Sequence, residues 1–242
     1  MILAPVLQQV ALRMSPGGPD PRTDPAAFAY VLRDAVQLAR PDWIVTHHDL
    51  GLESDAVAAE GVDSGDVIDV DLAATPLGAA AVVLTTTLRG VFPGGVIAAS
   101  VTGPATMARR MGEDDPGLIE DCGDILAALA AAHADAGADR VIVWEPEVAG
   151  DLEPAHQPIV RRLALAGVAC VLVHPALLDV GYGAQVGAGA ALLGPDAFMS
   201  RDALSAELAR AVGVAGDGGV LLSDGPVPAD CDMAALRQLG ER

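Results

Sequence analysis

The chain has 242 residues, 52% of them hydrophobic, and sets 33 acidic against 14 basic side chains for a formal net charge of -19. Such a charge repels phosphate backbones and acidic membrane surfaces, which argues against nucleic-acid and membrane partners. Every basic residue is an arginine, and the missing lysine amine excludes a Schiff-base aldolase, a lysine-bound pyridoxal enzyme and a P-loop nucleotide site.

The opening Met1-Ile-Leu-Ala-Pro-Val-Leu7 lacks a basic leader and a cleavage site, and reads as a strand. A Pro/Gly-rich loop, 15–25, leads into a helix over 25–40 with Pro25 in its first turn and an apolar stripe of Phe28, Val31, Leu32, Val36 and Leu38. Strand 43–48 and a helix near 52–60 follow. The Gly-broken acidic stretch 61–70 reads as a surface loop, and 76–88 as a helix. Strand 96–102 passes through Gly103-Pro104 into a short helix carrying Met107 and Met111. The most regular helix spans 116–136, with Leu118, Cys122, Ile125, Leu126 and Leu129 on one face. Strand 140–145, a helix at 157–166, strand 169–174, a helix at 201–212, strand 219–223 and a terminal helix at 231–239 complete the pattern. The Gly/Ala/Leu-rich stretch 176–194 has no period that places its elements.

Strands alternating with helices imply one parallel α/β domain over residues 1–242. Five apolar runs, 43–49, 96–104, 141–147, 169–175 and 220–225, each stop at polar or ionisable residues. Runs apolar on both faces suit strands covered on both sides, and the polar residues then gather on the C-terminal rim, where parallel α/β folds bind ligands. No apolar run approaches the roughly 20 residues of a membrane span. Three cysteines make no disulfide framework, so the cytoplasm is the expected compartment.

The rim candidates follow from these strand ends. His47, His48 and Asp49 close one strand, with Glu53 a turn further on. Adjacent strand residues face opposite ways, so at most one of the two histidines enters a central site. Glu145 and Glu147 flank Pro146 on one side of the chain, a pair suited to sharing a proton or holding a metal unless an arginine neutralises it. His174 precedes Pro175, and Asp224 precedes Gly225. Thr102 and Gly103 sit at a strand–turn–helix junction whose N–H groups suit a carboxylate or phosphate. Of Arg109 and Arg110, one must be solvated. His156, in the loop beyond Glu147, reads as a surface residue.

Val101-Thr-Gly-Pro-Ala-Thr-Met-Ala108 resembles the V-x-G-P-x-T-x-A segment of the uroporphyrinogen decarboxylase superfamily, notably its corrinoid methyltransferase branch. Ala136-Gly-Ala-Asp-Arg-Val-Ile-Val-Trp-Glu-Pro146, Leu192-Leu-Gly-Pro-Asp-Ala-Phe-Met199 and Gly219-Val-Leu-Leu-Ser-Asp-Gly-Pro-Val-Pro228 follow in the family's order. The resemblance covers most of 25–240 and implies a TIM-barrel-like (β/α)8 fold, incomplete or compressed around 176–194 because the chain is short for the family. The methyltransferase branch holds zinc through a His-x-Cys pair and a later Cys. Here those positions read His174-Pro175-Ala176 and Gly225, so His174 remains and both thiolates are gone.

The resemblance implies an enzyme acting on a small or tetrapyrrole-like organic acid at the C-terminal rim, first of all a decarboxylase-type lyase. His47 or His48 with His174 would move protons, while Glu145, Glu147, Asp49, Asp224, Thr102 and Gly103 would orient the substrate, with no cofactor. The alternatives are a methyl- or alkyltransferase using a corrinoid or a divalent metal, with a corrinoid protein as partner, and a barrel that binds a ligand without turning it over. No tightly bound zinc is expected without the thiolates. The unplaced apolar stretch 176–194 further suggests a homodimer.

Overall fold

Helices begin where the sequence sets a capping side chain before a proline. In the computed structural model, which describes residues 1–147, 150–176, 178–187, 192–215 and 219–241, Asp24 accepts from the Ala27 N–H ahead of Pro25, Thr75 from Gly78 ahead of Pro76, and Asp115 from Gly117 and Leu118 ahead of Pro116. Each cap satisfies an N–H that the first turn leaves open, and proline lacks the one that would go unused. These caps open α2 (Pro25–Ala39), α4 (Pro76–Val91) and α6 (Pro116–Asp135). The other helices are α1 (Gln8–Met14), α3 (Leu52–Glu60), α5 (Pro104–Arg110), α7 (Glu153–Ala166), α8 (Arg201–Ala215) and α9 (Met233–Leu239). The stretch read as a surface loop, 61–70, contains a 3-10 helix over Ser64–Asp69.

Eight strands lie among the described residues: β1 (Ile2–Val6), β2 (Trp43–Val45), β3 (Val96–Thr102), β4 (Arg140–Trp144), β5 (Ala169–Val173), β6 (Ala184–Val186), β7 (Leu192–Leu193) and β8 (Val220–Pro226). All their pairings are parallel, in the orders β2-β3-β4-β5-β6 and β1-β8-β7. Between β1 and β2, Asp42 replaces ladder bonds: its N–H donates to the Leu3 carbonyl at 2.9 Å, and its carboxylate accepts from Leu3 N at 2.7 Å. The strands thus succeed one another in chain order, as in a TIM barrel. The compression expected near 176–194 takes a definite form: β6 and β7 have three and two residues, and no α-helix joins β5, β6 and β7 among the described residues. Part of that stretch, 177 and 188–191, lies outside them.

Alternation along the strands separates two apolar layers. Ile142 and Trp144 of β4, Val171 and Val173 of β5 and Val186 of β6 turn to the lumen. Val141, Val143, Cys170 and Leu172 turn outward against α6 and α7. On the lumen's floor Arg140 stands over the Trp43 ring at 5.6 Å, a cation–π contact. Both faces of β4 and β5 are buried, each large side chain contributing about 1.5–3 kcal/mol. This core holds the strand ends in place.

Candidate functional site

Below the rim, the β3–α5 junction is a closed polar belt. Gly103 N donates to the Trp144 carbonyl at 2.7 Å, and Pro104 turns the chain into α5. The first free N–H groups of that helix, on Ala105 and Thr106, donate to the Glu145 carboxylate at 2.8 and 2.9 Å, joined by the Thr106 hydroxyl. The anion expected at this helix start is therefore the chain's own. Glycine is required at 103 because a Cβ there would lie 2.5 Å from Glu145 Oε2. On the other side of β3, Glu53 accepts from Thr102 N at 3.0 Å and from the Thr102 hydroxyl at 2.7 Å. Burial raises the Glu53 carboxyl above its ordinary value, against the pull of these bonds.

His156 is not on the surface. The helix starts at Glu153, four residues before the expected start, because Pro154 falls in the first turn, where its missing N–H costs nothing, and this carries His156 inward to full burial. Its Nδ1 lies 2.5 Å from the Tyr182 hydroxyl, and its Nε2 3.6 Å from Glu145 Oε2. Sequence reading missed this contact, and Tyr182 with it, since neither lies at a strand end.

The rim itself is more open. β2 ends at Val45, so strict alternation does not reach the histidines. His47 turns toward Ala81 and Leu84 of α4, and burial lowers its pKa to about 4. His48 turns the other way: its ring meets Trp144 edge-on at 4.6 Å, and its Cε1 lies 3.8 Å from where a Gly225 Cβ would stand. Burial lowers the His48 pKa too, leaving a neutral ring. His48 N is held by Gln8 Oε1 at 3.0 Å.

Asp49 is bound to Arg22 through both carboxylate oxygens, at 2.6 and 2.9 Å, and Arg22 also reaches Asp55 at 2.7 Å. Burial pushes Asp49 up, but the Arg22 guanidinium outweighs it and holds the carboxyl below its usual range. Glu147 meets Arg109 at 2.9 Å, the neutralising arginine that sequence reading allowed for. Asp224 is exposed at the β8 end. His174 follows β5, and its Nδ1 lies 2.7 Å from the Glu145 carbonyl oxygen. A carbonyl only accepts, so Nδ1 carries a proton, and in the neutral ring Nε2 keeps its lone pair. Asp49, Glu145, His174 and Asp224 thus all stand at C-terminal ends of parallel strands, but Glu145 and Asp49 are spent on the chain's own donors. Among the described residues, His174 Nε2, Asp224 and the indole N–H of Trp144, which sequence reading took only for a strand residue, meet no hydrogen-bonding partner.

A zinc site of the expected kind does not fit this donor set. His174 has the Nδ1–H to carbonyl bond typical of a metal-ligating imidazole, yet Ala176 and Gly225 stand where thiolates would. Cys122, Cys170 and Cys231 are buried, and burial raises each thiol, Cys122 to about 12. Among the described residues no three His, Cys, Asp or Glu side chains are grouped to hold a metal ion.

No protein-family model matches the sequence, and no curated protein matches it. Among solved structures, a methyltransferase from Methanosarcina mazei is similar over 98% of this chain and 92% of its own, with a TM-score of 0.76 and 13% identity. At that identity the likeness defines the fold: α/β and TIM-barrel-like. No helix among the described residues is long and apolar enough to cross a membrane.

Proposed function

We propose that the protein is a methyl- or alkyltransferase working at the C-terminal rim, with His174 as the base that takes a proton from the substrate nucleophile. The observation that carries this reading is the bond from His174 Nδ1 to the Glu145 carbonyl, which leaves Nε2 basic and fixes the ring's tautomer before substrate arrives. The likeness to a methyltransferase fold favours alkyl transfer over the decarboxylase reading. In the step, the nucleophile's X–H bond breaks toward His174 Nε2 as X forms its bond to the methyl carbon. The methyl-to-carrier bond breaks with its electron pair left on the carrier. His48 and Asp224 line the approach. The resemblance to the corrinoid branch makes a methylated corrinoid the carrier to try first, and no residue of this chain is assigned to a metal.

The test is methyl transfer from free methylcobalamin to a panel of small thiols, phenols and alcohols, followed by the corrinoid absorbance. Turnover by the wild type and a loss of about a hundredfold or more in His174→Ala are expected. A wild type that leaves methylcobalamin intact but releases carbon dioxide from a tetrapyrrole acid would restore the decarboxylase reading.

A further inference from the structure

The lumen's top layer holds a donor with nothing to donate to. Trp144 is the last residue of β4, beside Thr102 of β3 and Val173 of β5 in register, and it is only 3% exposed. Its indole N–H has no hydrogen-bond partner among the described residues. A buried donor left unpaired costs about 1–3 kcal/mol, and indoles buried in proteins ordinarily find an acceptor. The neighbour above it is His48, edge-on, with Gly225 of β8 beyond. The indole ring thus lies beside the chain that follows β2 and near β8, under the same rim that carries His174.

The charge around it restricts what can fill the vacancy in its bonding. Arg22 is bound to Asp49 and Asp55, and Arg109 to Glu147. Arg140 is at the opposite end of β4, on the Trp43 ring. Arg110 is exposed on α5, and at His48 both Asp49 and Asp224 act more strongly than it does. The Arg110 guanidinium lies at Gly51 beside the Arg22–Asp49 pair, which leaves Asp224 as the charge near His48 that no described arginine pairs. A carboxylate set there would lose its hydration against one neutral N–H, with no unpaired cation beside it among the described residues.

We propose that Trp144 is a substrate-binding residue whose indole N–H donates to an uncharged acceptor, a carbonyl, ether or ring-nitrogen atom, on a substrate that is neutral or cationic where it enters the lumen. This rests on the rim reading above but departs from the organic-acid expectation. The site discriminates by charge: an amide fits and the isosteric carboxylate does not.

Acetamide and acetate form that pair, equal in size and unlike in charge. The chain has two tryptophans, so protein labelled with 15N-indole shows two indole cross-peaks, and Trp144→Phe identifies the one to follow. Acetamide is expected to shift the Trp144 peak saturably, with the Trp43 peak still, and acetate to bind at least tenfold more weakly at equal ionic strength. Acetate binding as tightly as acetamide would overturn the charge argument. A Trp144 peak unmoved by either probe would overturn the anchor, since the N–H would then be held by a structural water. Neither outcome depends on turnover. Loss of methyl transfer as the function, with the acetamide shift intact, would separate the two readings.

Discussion

The belt around Glu145 and the rim around His174 are built from the same residue types at the same strand ends, yet they do opposite things. In the belt every carboxylate oxygen meets a donor of the chain itself: Ala105, Thr106 and Thr102 supply N–H and O–H groups within 3.0 Å wherever a distance is ordinary. On the rim, His174 Nε2, Asp224 and the Trp144 indole have no such partner among the described residues, and the His48 N–H donates to Gln8. A polar strand end is scaffold when a helix start or a hydroxyl closes on it.

The two buried glutamates put the sharpest test on this distinction. Glu145→Ala strands two N–H groups and the Thr106 hydroxyl in the interior, and should cost about 3–5 kcal/mol of unfolding free energy. Glu145→Gln should still cost about 1–3 kcal/mol, because its amide NH2 must face a backbone N–H that cannot turn round. Glu53→Gln behaves differently: Thr102 N keeps a carbonyl acceptor, and the Thr102 hydroxyl rotates to accept from the new amide. It should be neutral or stabilising near pH 7, where a carboxyl raised by burial is costly to ionise. Urea unfolding of the three variants checks the order, and a Glu53→Gln as damaging as Glu145→Gln would erase it.

Two buried histidines, His47 and His133, the latter on α6 with its Nδ1 2.9 Å from the Thr85 hydroxyl, add a pH signature of about 3 kcal/mol for His47 alone. Burial lowers His47 from 6.5 to about 4 and His133 from 6.5 to about 3, so the unfolded chain takes up their protons first. Stability from these groups is full above pH 6.5 and falls as pH drops through 6.5 toward 4 and 3. Glu53, raised, acts in the opposite sense: its contribution is present at low pH and is lost as pH rises above 4.5. Unfolding measured from pH 7 to 5 should weaken steadily, and His133→Gln should flatten that slope by about one proton. An unchanged slope would mean that His133 is not held neutral.

How much of this was readable follows from the same physics. β2, β3, β4, β5 and β8 announce themselves because strands covered on both faces need unbroken apolar runs, and the Asp-Pro and Thr-Pro pairs mark three helix starts. β6 and β7 do not, since three and two residues carry no period. The rim position of Asp49, Glu145, His174 and Asp224 was legible as strand ends. Their partners were not: Arg22 is 27 residues from Asp49, and Thr106 is 39 from Glu145. His156 was hidden by proline, read as loop where the helix used it for a first turn.

The smallest expected effects on stability fall on the rim, and their smallness is the point. Asp224 is exposed and among the described residues holds no hydrogen bond that would be lost, so Asp224→Asn should shift unfolding by no more than about 0.5 kcal/mol. His174→Ala removes one bond, to the Glu145 carbonyl, and should cost about 1 kcal/mol. On the proposed methyl transfer at the rim, thermal melts of both variants should stay near the wild type while methyl transfer falls. For Asp224→Asn the fall should be modest and should lessen with salt, because an exposed carboxylate acts on His48 through solvent. If His174→Ala instead unfolded the protein as readily as Glu145→Ala, His174 would belong to the belt, and the rim would be reduced to His48, Trp144 and Asp224.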